Sequence, residues 1–308
     1  MTGNTLIVIT GPTAVGKTEL CLEVAKKYGI PIINADSRQM FRGMAIGTAA
    51  PSKEQLEAVR HYFVGNLELS DYYNAAMFER DVIAILDGMF SGNQGDGGRK
   101  CGLALMSGGS MMYIDAVCNG IDDIPTINEE TRNYIKERLS KEGLERLCAE
   151  LKRLDPEYYD VVDKKNTRRV VHGLEICIQT GTTYTSFRKR QKKQRDFRIV
   201  KIGLEMPREE LYLRINRRVD RMMECGLLQE AEALYPYRNL NALNTVGYKE
   251  LFSYIDGTFT LEEAVERIKG NTRRYARKQM TWLKKDGSVV WFPANDKFAI
   301  MDYISQYG

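Results

Sequence analysis

No stretch of this 308-residue chain reaches the roughly 18 apolar residues that a membrane helix needs, which argues against an integral helical membrane protein. Paired-cysteine motifs are missing as well. Cys21, Cys101, Cys118, Cys148, Cys177 and Cys225 are scattered, and no two form C-x-x-C. That argues against a zinc finger and a disulfide scaffold, and it fits free thiols in a reducing cytoplasm. The chain opens Met1-Thr2-Gly3-Asn4, with no basic n-region before its first strand-like run. A secretory leader is therefore not expected, and a cytoplasmic location is. Internal repeats are absent. Compositional bias is absent too: 43% of residues are hydrophobic and 28% charged, near globular averages, which excludes wholesale disorder and a fibrous repeat. The length suits one large domain or two smaller ones.

Charge is present, and its placement is uneven. The formal net charge is +4, but residues 1–118 hold 10 basic and 12 acidic side chains, so the positive excess lies further on. Residues 164–195 carry 10 basic side chains and 1 acidic one; residues 267–285 carry 8 basic and none acidic. Such concentration points to a polyanion, either nucleic acid or a phosphorylated ligand. Two helices with solvated basic faces would give the same counts, and charge alone does not separate the two readings.

Thr5 to Thr10 is a continuous β-branched and apolar run, the pattern of a buried parallel strand. Gly11-Pro12 breaks it, and a helix follows over 19–28. Ile30 to Asp36 reads as a second strand ending at an acid. Helical spacing covers 53–63 and 75–90, and Gly92 to Gly98 reads as a flexible surface loop. Leu103 to Ser107 is a third strand, followed by Gly108-Gly109-Ser110. Strands alternating with helices imply an open α/β sheet. From 119 to 195 no convincing strand appears. Helices are expected over 129–154, with an interruption at Gly143, and over 167–179. Strands return at 199–204 and 288–292, and long amphipathic helices are expected over 211–235 and 261–285. The economical division is a core of 1–118 and 196–308 with a helical insertion at 119–195.

Gly11-Pro12-Thr13-Ala14-Val15-Gly16-Lys17-Thr18 fits G-x-x-x-x-G-K-[ST] in full, between a strand and a helix. Chance produces this pattern in a chain of such length roughly once in a hundred. Glycines let backbone N–H groups converge on a phosphate, and the helix N-terminus adds partial positive charge. Lys17 would neutralise phosphate oxygens and Thr18 would hold Mg²⁺. The loop does not name the reaction. Leu103 to Ser107 runs into glycines with no acid at its end, and no Asn-Lys-x-Asp guanine signature is present. Both absences argue against a motor ATPase or a GTPase. Asp36, at the end of the second strand, is the acid placed beside the loop, suited to hold a metal or act as general base.

These residues belong to a longer ordered set. After the phosphate loop come Asp36-Ser37-Arg38-Gln39-Met40-Phe41 and Gly43-Met44-Ala45-Ile46-Gly47-Thr48-Ala49, then Gly108-Gly109-Ser110-Met111-Met112-Tyr113 and Arg169 to Glu175. Leu213-Arg214-Ile215, Arg218, Met222 and Gly226-Leu227 follow, then Val246-Gly247-Tyr248 and Arg277 to Leu283. The set, spanning residues 5 to about 293, resembles the tRNA dimethylallyltransferase family. The resemblance implies an α/β fold: a P-loop NTPase-like parallel sheet flanked by helices, with a helical insertion domain.

It also implies a prenyl transfer. Dimethylallyl diphosphate supplies a five-carbon allylic group to N6 of the adenosine following the anticodon, position 37, of tRNAs reading codons that start with U, and diphosphate leaves. Carried over residue by residue, Gly11 to Thr18 bind the diphosphate, with Mg²⁺ on Thr18. Arg218 supplies a guanidinium fork to the same group, and Asp36 is the base. The tRNA contacts are Asp36, Ser37, Arg38, Gln39, Ser110, Arg132 and the segment Arg168-Arg169-Val170-Val171-His172. The anticodon stem-loop would meet the insertion, so RNA phosphates would account for both basic windows. A monomer with no membrane partner is expected. Family members usually carry Arg at the place of His172, Thr at Ser110, and a basic residue before Val246, where Asn244-Thr245 stands here. The chain shows no zinc-finger extension of the eukaryotic kind, which favours a bacterial-type enzyme. Two other readings stay open at this stage: a P-loop small-molecule kinase, and an adenylate isopentenyltransferase acting on free AMP or ATP.

Overall fold

The computed structural model describes residues 3–92, 101–189 and 191–307. Among these described residues six strands form one parallel sheet in the order β3-β2-β4-β1-β5-β6. They are β1 (Thr5–Thr10), β2 (Ile32–Asn34), β3 (His61–Tyr62), β4 (Leu103–Ser107), β5 (Arg198–Glu205) and β6 (Val289–Pro293). Every residue of β1 and β4 is buried. Burial on both faces explains why these strands read as unbroken apolar runs. On one face Ile7, Ile9, Leu105 and Ile202 pack against Leu20 and Val24 of helix α1 (Lys17–Tyr28). The alternate residues Leu6 and Val8 are equally buried. Gly108, just past β4, is glycine for a steric reason: a Cβ there would lie 2.2 Å from the Ala35 carbonyl oxygen. The close approach brings the ends of β2 and β4 together.

Short helices α2 (Ala45–Thr48) and α3 (Lys53–Ala58) precede β3, and α4 (Ala75–Ser91) and α5 (Met111–Asn119) flank β4 in sequence. The helix expected over 53–63 stops at Ala58, because Val59 is extended and His61 and Tyr62 pair with Ile32 and Ile33. Residues 93–98 of the expected glycine-rich loop lie outside the described residues.

The chain divides into two compact units, residues up to 118 with those from 194 on, and residues 119–193. The second boundary falls two residues before the expected one. Arg195 belongs to the first unit, where its guanidinium meets Glu79 at 2.7 Å and its Nε–H reaches the Val117 carbonyl at 2.9 Å. The insertion holds α6 (Glu129–Leu154), α7 (Pro156–Val161), α8 (Thr167–Thr180) and α9 (Tyr184–Phe187), and no strand among its described residues. Gly143 interrupts α6 with φ 79° and ψ 168°. The unit has its own core of Ile135, Leu147, Leu151, Tyr158, Val170 and Leu174.

Back in the first unit, the helix expected over 211–235 is two helices, α10 (Arg208–Glu224) and α11 (Leu227–Leu234). Gly226, with φ 97°, takes the left-handed conformation that ends a helix and lets the chain turn. Then come α12 (Tyr248–Ile255), α13 (Leu261–Leu283) and α14 (Lys297–Ser305). Helices α10 to α13 share a second core built on Val219, Leu227, Leu251 and Ile268.

Candidate active site

The site gathers at the C-terminal ends of β1, β2 and β4, where an open parallel sheet offers a crevice. The loop between β1 and α1 carries three positive φ angles: Gly11 at 149°, Ala14 at 66° and Gly16 at 111°. No side chain caps α1, so its first backbone N–H groups face the crevice with the positive end of the helix dipole. Lys17 sends its ammonium back to the carbonyls of Gly11 and Pro12, at 2.9 and 2.8 Å. Burial, and then the charge of Arg218, pull its pKa down to about 8. Burial also lowers Arg218, while the charge of Asp36 opposes the shift.

Asp36 follows β2. Its Oδ1 accepts the backbone N–H of Arg38 at 3.0 Å, an Asx turn that bends the chain at the strand end. Ser110 fixes the next residue: its hydroxyl accepts the N–H of Ser37 at 2.8 Å and donates to the Ser37 hydroxyl at 3.0 Å. Helix α13 closes the other side. Gln279, 1% exposed, accepts from the Thr13 N–H at 2.9 Å and donates to the Gly109 carbonyl at 2.9 Å. One side chain therefore ties the phosphate loop to the turn after β4. Tyr275 donates to the same carbonyl at 3.0 Å, and burial pushes its phenol up to about 12.

Two cavities meet here. The first, about 480 Å³, is lined by the phosphate loop, Lys17, Thr18 and three guanidinium side chains of α10, Arg214, Arg218 and Arg221. The second, about 320 Å³, is lined by polar residues that include Ser37, Arg38 and Ser110 and by the apolar Val219, Met222, Leu227, Val246 and Ile268. Thr13, Asp36, Arg218 and Tyr275 border both. The arrangement offers an anion seat, a partly apolar seat, and a carboxylate between them. Among the described residues no three His, Cys, Asp or Glu side chains cluster to hold a metal by themselves.

The family model for IPP transferase matches residues 39–286. The chain belongs to the IPP transferase family. Two curated relatives are similar along nearly their whole length. The protein named tRNA dimethylallyltransferase 1 of Phocaeicola vulgatus is 57% identical over 301 residues, 98% of each chain. That of Bacteroides fragilis is 55% identical over 304 residues, 99% of this chain and 98% of its own. A solved structure of the full-length tRNA isopentenylpyrophosphate transferase from Bacillus halodurans is 33% identical. It matches with a TM-score of 0.69 over 99% of this chain and 96% of that one. The P-loop NTPase-like fold expected from the sequence stands.

Within this IPP transferase the core members of the expected site lie together: Thr13, Ala14, Gly16, Lys17, Thr18, Asp36 to Gln39, Ser110 and Arg218 border one or both cavities, while Gly11, Pro12 and Val15 of the loop are buried and line neither. The other tRNA candidates lie in the insertion. Arg132 is exposed in the first turn of α6, and Arg168 and Arg169 are exposed in the first turn of α8. Val170 is 0% exposed, and its side chain packs in the insertion core. Val171 packs partly against the same core. His172 lies edge-on to Tyr184 with ring centroids 5.4 Å apart, and 3.7 Å from Glu175. Arg188 stacks over Tyr158 and Tyr184; Arg190 of the same basic run lies outside the described residues. The second basic window is partly spent inside the fold. Lys269 pairs with Asp220 and Glu266, and Arg273 donates to Asn216. Arg277 and Lys278 remain exposed. Arg214 and Gln279 stand within the sequence motifs without an expected role, and Tyr275 and Arg221 stand outside them. The three arginine positions 214, 218 and 221 were legible as one helix face.

Proposed function

We propose that this chain transfers a dimethylallyl group from dimethylallyl diphosphate to N6 of adenosine 37 in tRNAs reading codons that start with U, releasing diphosphate. The junction of the anion cavity with the partly apolar one at Asp36 and Arg218 supports this reading most strongly. A kinase needs an acceptor seat beside the phosphates, but it has no need of the apolar lining that Val219, Met222, Leu227, Val246 and Ile268 give this one. Free AMP or ATP as acceptor gives no role to the exposed Arg168 and Arg169 of the insertion.

The diphosphate sits on the loop 11–18, with Lys17 and Arg218 against the oxygens where negative charge develops. The Thr18 hydroxyl on the anion cavity would hold a magnesium ion, a cation that asks for few ligands from the protein itself. When bound, the ion helps neutralise the leaving diphosphate. Adenine is extruded from the anticodon loop into the second cavity, where Ser37, Arg38 and Ser110 supply polar groups. N6 attacks C1 of the allylic group, the C1–O bond breaks with its electrons leaving on diphosphate, and Asp36 takes the N6 proton. Arg132, Arg168 and Arg169 contact tRNA from the insertion. The enzyme works as a cytoplasmic monomer.

Labelled dimethylallyl diphosphate offered to tRNA, AMP and ATP in parallel tests the acceptor: label enters tRNA and neither nucleotide. Label in AMP or ATP alone would overturn the tRNA assignment. Two narrower outcomes follow. Exchanging Arg188 and Lys189 for Glu weakens tRNA binding and flattens its salt dependence by roughly one to two phosphate contacts; unchanged affinity in a titration series would mark that run as a solvated face. The pH profile of kcat/KM for the diphosphate substrate falls as pH rises through about 8, because free Lys17 loses its charge there. Bound diphosphate restores the proton, so kcat itself holds to higher pH. A kcat/KM that is flat well above that pH would remove Lys17 from diphosphate binding.

A further inference from the structure

Glu230 has no part in the chemistry above and borders neither cavity. Yet its carboxylate, on α11, is fully engaged. Oε2 accepts the N–H of Ile46 at 2.8 Å. Oε1 accepts the N–H of Gly47 at 2.8 Å and the hydroxyl of Tyr248 at 2.7 Å. Tyr248 is 0% exposed, and its ring lies against Gly47 so closely that a Cβ there would come within 2.6 Å of it. A carboxylate and a phenol thus grip the start of the four-residue helix α2 from outside.

What α2 presents on its far end faces the site. The carbonyls of Thr48 and Ala49 each receive the side-chain amide of Gln39, at 3.1 Å in both cases. The Thr48 carbonyl also receives Arg218 Nη2 at 3.5 Å. Gly47 and Thr48 border the partly apolar cavity, and Gln39 and Ala49 border the anion cavity. Ala49 holds φ 47°, a left-handed conformation that a non-glycine residue keeps only where its surroundings impose it.

We propose that Glu230 and Tyr248 are a positioning pair: they fix residues 46–49 so that the Thr48 and Ala49 carbonyls set Gln39 and Arg218 at the junction of the two cavities. The proposal rests on the assignment of Gln39 to tRNA and Arg218 to diphosphate made above. It places a carboxylate and a phenol outside the cavities in control of how two binding side chains are aimed.

Glu230→Gln removes the charge and one acceptor; Tyr248→Phe removes one hydrogen bond and keeps the ring on Gly47. Both are measured for thermal unfolding, for kcat, and for KM toward each substrate. The expected result is a kcat lower on the order of tenfold for Tyr248→Phe and by more for Glu230→Gln, as misplaced binding groups produce. A melting temperature near wild type accompanies Tyr248→Phe. The decisive readout is a double-mutant cycle. In a Gln39→Ala or Arg218→Lys background the Tyr248→Phe penalty shrinks, because the carbonyls have less to aim. An undiminished penalty in both backgrounds, or no penalty in the wild-type background, overturns the pair. If Glu230→Gln does not fold, Tyr248→Phe carries the test alone. Wild-type protein run alongside separates the failures: no transfer by wild type sinks the proposed reaction, not the pair.

Discussion

Exchanging Asp36 for Asn leaves the protein folded and able to bind tRNA but lowers kcat by on the order of 10²–10⁴-fold, the usual worth of a general base. Asn keeps the Oδ1 acceptor that the Arg38 N–H uses, so the turn after β2 survives. The loss then reports the missing proton acceptor and not a displaced loop. An exocyclic amine is a weak nucleophile, and its attack stalls unless the proton leaves. Asp36 borders both cavities, where the proposed reaction would bring the amine and the allylic carbon together. Binding of tRNA and single-turnover transfer, measured on the same preparation, separate the two roles. Turnover near wild type would remove Asp36 as the base, and a loss confined to tRNA affinity would make it a recognition residue.

The second large effect belongs to Arg218. Arg218→Ala lowers kcat by on the order of 10²–10³-fold, as expected for removing one group aimed at developing charge, and it raises KM for the diphosphate substrate. It also acts on its neighbour. Arg218 helps hold Lys17 low, so its removal moves the Lys17 pKa upward and the falling limb of kcat/KM shifts to higher pH. That shift is the sharper test, because a general loss of structure lowers activity without moving a pKa in a stated direction. A limb that stays in place while activity falls would show that the two cations do not share one anion site.

Much of the fold was legible because its signals are local. β1 and β4 read as strands since both of their faces are buried and no polar alternation interrupts the run. The phosphate loop read from eight consecutive residues, and Gly143 announced the break in α6. The misses are places where a partner decides. β3 is two residues long and exists through pairing with Ile32 and Ile33, which no window over 53–63 contains. The break between α10 and α11 hides inside a continuous amphipathic pattern, and only the backbone conformation of Gly226 reveals it. Gln279 contacts Thr13 across 266 residues of sequence, so its role as a tie across the site needed the fold. Val170 is the opposite case: it sits at an apolar, inward position of α8, and the helical periodicity alone placed its side chain in the core.

The central claim is that the anion cavity and the partly apolar cavity serve one prenyl transfer to one base. The most direct measurement incubates the purified protein with Mg²⁺, radiolabelled dimethylallyl diphosphate and an unmodified tRNA carrying adenosine 3′ to its anticodon, then maps the label by nuclease digestion. The account predicts label on that adenosine, abolished when guanosine replaces it and strongly reduced in Asp36→Asn. Label elsewhere in the tRNA, or undiminished transfer to the guanosine-substituted molecule, would contradict it.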